Sequence, residues 1–117
     1  MRRLKKLIRL HNLKFVAICE PKLDVSYIDS IKLRLPFDSV AMNLSADIWV
    51  FFSSPFVCSV IGTSAQHVSF SVQHPWLANP LIFSFVHAKC TLEGGRALWQ
   101  DLLDDKPGSH GWCVCGD

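Results

Sequence analysis

Between residues 39 and 88 the chain is divided into apolar runs of four to eight residues, each closed by serine, proline, asparagine or another polar residue. This division constrains the fold more than any other feature. Runs of that length have the size of strands and are too short for independent helices. The runs lie at 39–42, 48–52, 56–61, 66–73 and 81–88. In 66–73, Val68, Phe70 and Val72 alternate with Ser69, Ser71 and Gln73, the period of a half-buried strand with one polar face. No run reaches the roughly 18 apolar residues a membrane span needs, so no membrane association is expected.

Helical patterns flank these runs. Residues 2–12 carry Leu4, Leu7, Ile8 and Leu10 at near-helical spacing, with Asn12 as a stop. A nearly continuous apolar run at 13–19 follows, as expected of a strand covered on both faces. A short helix is expected over 24–34, capped by Asp24 or Ser26. Another is expected over 92–103, with Leu92, Leu98, Trp99, Leu102 and Leu103 on its apolar side. Gly94-Gly95 reads as a loose helix start, and Gln66 and Arg96 read as structural. After a turn at 106–109, a last strand begins at 111–115 and runs into Gly116-Asp117. A helix followed closely by a buried strand points to an α/β (α+β) fold with helices flanking a layered sheet, not to an all-β sandwich. The 117 residues give room for a single domain. With half of them hydrophobic and 19% charged, disorder is excluded.

Charge is informative in its distribution rather than its sum. The formal net charge is +2, but Arg2, Arg3, Lys5, Lys6, Arg9 and Lys14 precede the first acid, Glu20. A basic helix of this kind can meet DNA phosphates, anionic lipid or an organelle import receptor. The simpler reading is that its apolar side packs on the sheet. The five cysteines are odd in number and follow no visible signal peptide, so reduced thiols in an intracellular protein, nuclear or cytoplasmic, are expected. His110, Cys113 and Cys115 lack the spacing of a zinc finger. Cys113 and Cys115 share one strand face and are expected as small core residues.

Two acids stand where chemistry collects in layered folds, at the carboxyl ends of apolar strands. Glu20 follows the run 13–19, and Asp117 follows the run 111–115. If those strands are parallel neighbours, both carboxylates emerge at one sheet edge, an arrangement suited to magnesium. The alternative is two solvated acids at strand ends.

Four segments carry a resemblance. LKFVAICEPKL at 13–23 is similar to the strand and ETKL motif of the endonuclease/exonuclease/phosphatase family. FVHAKC at 85–90 resembles that family's VYA strand, and RALWQDL at 96–102 resembles the R-x-L-W-x-x-L helix of its LINE-type retrotransposon members, plant ones especially. Gly116-Asp117 resembles the first half of GDFN. The segments occur in family order. The resemblance implies a partial layered β-sandwich, about half of such a domain, over 1–117. It implies a hydrolase that nicks DNA with magnesium or manganese. Glu20 would be the metal ligand, Asp117 and His87 catalytic, and Lys22 phosphate-binding. The chain departs from the pattern at Pro21, where the family has threonine, and at His87, where it often has tyrosine. The family's opening strand with its asparagine, the asparagine of GDFN and the distal aspartate–histidine pair have no counterpart. These departures imply little or no activity alone, with a non-enzymatic small protein or inactive gene fragment as the alternative.

Overall fold

The apolar runs pair into two sheets that face each other across a common core. The computed structural model describes residues 2–19, 21, 23–89, 91–108 and 111–116. In chain order the elements are α1 (Arg2–His11), β1 (Phe15–Cys19), a 3₁₀ turn over Val25–Tyr27, α2 (Ile28–Arg34), β2 (Ser39–Met42), β3 (Ile48–Phe52), β4 (Val57–Thr63), β5 (His67–Gln73), β6 (Leu81–Val86), α3 (Leu92–Asp105) and β7 (Trp112–Gly116). Strands β1, β3 and β2 form one antiparallel sheet in that order. Strands β4, β5, β6 and β7 form the other, antiparallel except for the β6–β7 pair. A parallel pair needs a crossover connection, and α3 supplies it. The described residues thus build a mixed α+β fold of two sheets and three α-helices.

Side-chain alternation sorts the layers. Ile48 and Val50 of β3 meet Val68, Phe70 and Val72 of β5 and Phe85 of β6 between the sheets. Burying each such side chain stabilises the fold by roughly 1.5–3 kcal/mol. The intervening Trp49 and Phe51 point the other way, into a second core with Ile8 of α1 and Ile28 and Ile31 of α2. Strand β3 is therefore covered on both faces, which accounts for its unbroken apolar sequence. Leu98 and Leu102 of α3 cover the second sheet beside Val86 and Trp112.

Several expectations change here. The run 13–19 forms an edge strand among the described residues and is half-buried rather than covered, with Ala17 exposed. The polar face of β5 is graded: Gln73 is exposed and Ser71 half-buried, as a polar face predicts, but Ser69 is fully buried. Its hydroxyl pairs with that of Ser84 at 2.7 Å, and the Trp112 indole donates to Ser84 Oγ at 3.0 Å, so the buried polar atoms satisfy one another. The expected helix over 24–34 begins as the 3₁₀ turn, with the Asp24 carboxylate accepting from Ser26 N. Asn12 adopts a left-handed conformation and Leu13 N donates to Ile8 O, ending α1 where the asparagine suggested. On α1, Leu4 and Ile8 pack inward while Leu7 and Leu10 remain exposed. On α3, Trp99 and Leu92 also face outward. No helix among the described residues is long and apolar enough to cross a membrane.

Candidate functional site at the carboxyl ends of β1, β6 and β7

Strand directions bring three carboxyl ends to one rim of the sandwich. Val86, the last residue of β6, pairs with Gly116, the last of β7. From the facing sheet, the thiol of Cys19, the last residue of β1, points at the Val86 carbonyl from 3.9 Å. The sequence expectation made β1 and β7 parallel neighbours in one sheet; they lie instead in separate sheets. The reason is that β1 pairs with β3, while β7 is delivered beside β6 by the α3 crossover. What joins the two ends is contact across the sandwich at Val86.

Gly116 has a physical requirement at this rim. Its φ is +137°, a conformation L side chains rarely adopt. A Cβ there would collide with the Val86 carbonyl oxygen. The glycine lets β7 close against β6 at its last residue, one position before Asp117.

Of the expected site residues, Glu20, Lys22 and Asp117 lie outside the described residues. Each of the two acids is one position beyond a described strand end, Cys19 and Gly116 respectively. His87 follows β6 and is half-buried. Its backbone N–H donates to Gln66 O at 2.8 Å. Its Nδ1 is shut away from solvent.

A polar network holds the rim, and sequence reasoning did not find it. The buried amide of Gln66 is the clearest case: Oε1 accepts from Lys89 N at 2.7 Å, and Nε2 donates to Gly94 O at 2.8 Å, a structural role as expected. It thereby ties Lys89 to the first turn of α3. There Thr91 caps the helix by accepting from Gly94 N, which makes Gly94-Gly95 part of an ordered first turn. Asn43, also buried, accepts from Ile48 N and donates to Ser45 Oγ and Ser64 O, each at 3.0 Å. Ser45 donates to Ala65 O, and Leu44 N donates to Thr63 Oγ1. The β2–β3 and β4–β5 turns, one from each sheet, are locked together by these bonds.

Behind them runs a relay of three side chains. Ser64 Oγ lies 2.7 Å from His67 Nδ1, and His67 Nε2 lies 2.7 Å from Asp105 Oδ2. The grouping has the order of a serine nucleophile's relay, but its surroundings are structural. His67 is 2% exposed, and Ser64 Oγ already accepts from Gln66 N. The relay fastens the end of α3 to the β4–β5 hairpin. Gly62 permits it, because a Cβ at that position would strike the Asp105 carboxylate. Among the described residues no three of His, Cys, Asp and Glu gather as a metal group.

Two cysteines depart from expectation. Cys113 is exposed and Cys115 half-buried, rather than both being core residues. Desolvation, then the hydrogen bond and charge of Cys113, push the Cys115 thiol above its ordinary range. Cys58, on β4, is pushed up to about 11 by burial.

No protein-family model matches this sequence, and no curated protein matches it.

Proposed function

We propose that this chain carries part of a metal-dependent DNA phosphodiesterase centre of the endonuclease/exonuclease/phosphatase type, similar to those of LINE-type retrotransposons. One observation supports the reading above all: β1, β6 and β7, the strands that lead into Glu20, His87 and Asp117, end together at Val86. The requirement for glycine at 116 supports it further, since it accounts physically for half of the Gly116-Asp117 pair.

In this reading Glu20 binds magnesium or manganese through hard carboxylate oxygens. The ion, when bound, stabilises negative charge on the phosphate and the leaving oxygen. Asp117 shares that hydrated ion and orients the attacking water, and His87 and Lys22 hold the phosphate. The locked turns contribute preorganisation, because a rim fixed before substrate arrives needs no reordering in the transition state. The DNA partner and an intracellular site of action belong to the same proposal.

Nicking of supercoiled plasmid tests it. The expected result is slow, magnesium-dependent nicking that falls about tenfold or more in Glu20→Ala. Equal nicking by both proteins, or nicking that survives a chelator, would contradict the proposal. A non-enzymatic role is the second reading, favoured by apolar side chains turned outward, with Leu33 83% and Trp76 91% exposed. It is the reading that equal nicking would leave standing.

A further inference from the structure

The sulfur atoms of Cys113 and Cys115 lie 3.4 Å apart on one face of β7. Alternate residues of a strand share a face, and the fold fixes which face this is. Trp112 turns toward α3 and donates its indole N–H to Ser84. Cys115 therefore turns toward the inter-sheet core, where it packs at the margin, and Cys113 turns the same way. Cys113 is nevertheless exposed. The second sheet has four strands and the first has three, and Phe15 of β1 stacks on Phe85 and packs at a tilt on Phe83 of β6, the strand next to β7. Strand β7 is an edge strand among the described residues, and the thiol pair sits at the open lip of the sandwich. One sulfur is in solvent and the other is backed by apolar side chains.

We infer that Cys113 and Cys115 form a two-thiolate chelate for a thiophilic metal ion of the zinc and cadmium type. Two rival uses of the pair are less well matched. As core filling it fails on exposure. As a disulfide it requires the sulfurs to close to about 2.05 Å across two residues of extended strand. Their Cα atoms are held about 6.6–6.8 Å apart, the outer limit for such a bond. A tetrahedral zinc ion with bonds of about 2.3 Å asks for sulfurs about 3.8 Å apart. The observed spacing reaches that with a small side-chain rotation and no change in the strand. Thiolates select soft or borderline ions over magnesium, so this site does not compete for the ion proposed at the rim. On binding, each thiol releases its proton to solvent and each sulfur forms one bond to the ion. No electron is transferred. The remaining positions on the ion are filled by water or a small thiol, since no third donor joins the pair among the described residues.

Titration of the reduced, full-length chain with cadmium tests this, read by the ultraviolet sulfur-to-cadmium charge-transfer band, which carboxylate ligands do not produce. The expected result is one cadmium per chain, with affinity reduced at least tenfold in both Cys113→Ser and Cys115→Ser. Cys58→Ala, on another strand, should bind as the unaltered chain does. Cys113 faces solvent, so Cys113→Ser should keep its circular dichroism, and loss of the band in that variant cannot be ascribed to unfolding. A Cys113→Ser chain that binds cadmium as tightly as the original, or an original chain that shows no band, would overturn the inference.

Discussion

The two ends of the sandwich are built on opposite principles. At the end where β1, β6 and β7 finish, two hairpin turns are tied by buried Asn43 together with the exposed Ser45 and Thr63 and half-buried Ser64, and buried Gln66 joins Lys89 to the first turn of α3. At the other end, Phe15, Phe52, Phe56 and Phe83 gather with ring centroids 6.0–6.4 Å apart, beside an apolar groove of about 530 Å³ that reaches Pro75 and Trp76. Aromatic packing stabilises without fixing positions narrowly, because it is largely non-directional. Hydrogen bonds add little net stability but are directional, and a missing partner leaves a buried polar group exposed to its full desolvation cost. The polar end is therefore the one suited to hold reacting groups in place, and the apolar end is the one that tolerates change.

Three substitutions test that contrast. The largest effect is expected for Gly116→Ala, which forces a Cβ against the Val86 carbonyl. Denaturant unfolding should show a loss of about 3–4 kcal/mol, with β7 amides losing protection in hydrogen exchange. Asn43→Ala removes three hydrogen bonds from a buried site and should cost about 3 kcal/mol. The smallest effect belongs to the apolar end and depends on pH. Cys58 keeps its proton up to about pH 11 in the folded chain, because burial disfavours the thiolate. The unfolded chain releases that proton near pH 9. Stability should thus be complete below pH 9 and decline between pH 9 and 11, and thermal melts of Cys58→Ala should show a shallower decline over that window.

Much of this contrast was legible in the residues and part of it was not. The runs that became β2, β3 and β5 are readable because alternation and run length are local properties. Partner choice is not local. That β1 pairs with β3, while β7 joins the other sheet, depends on how α3 crosses, so the expected single-sheet arrangement of the two acid-bearing strands was replaced by one across the sandwich. Burial failed for the same reason at Cys113 and Trp99, since it depends on how many strands the facing sheet supplies or which stripe of a helix meets it. Of the Gly116-Asp117 pair the structure supplies a cause for the glycine alone, its φ of +137° against the Val86 carbonyl, and Asp117 lies outside the described residues. The rim's network left only a weak trace, the polar clusters at 43–47 and 63–66 between apolar runs. The partnership of His67 with Asp105 spans 38 positions and has no local signature.

In the proposed centre, Glu20 and Asp117 share one hard cation. Manganese affinity, followed through the relaxation of water protons, tests it in the original chain, Glu20→Ala, Asp117→Asn and the double variant. A shared ion predicts that each single change weakens binding about tenfold or more, and that the double change weakens it little further. Effects that simply add, or affinities that none of the changes alters, would contradict it.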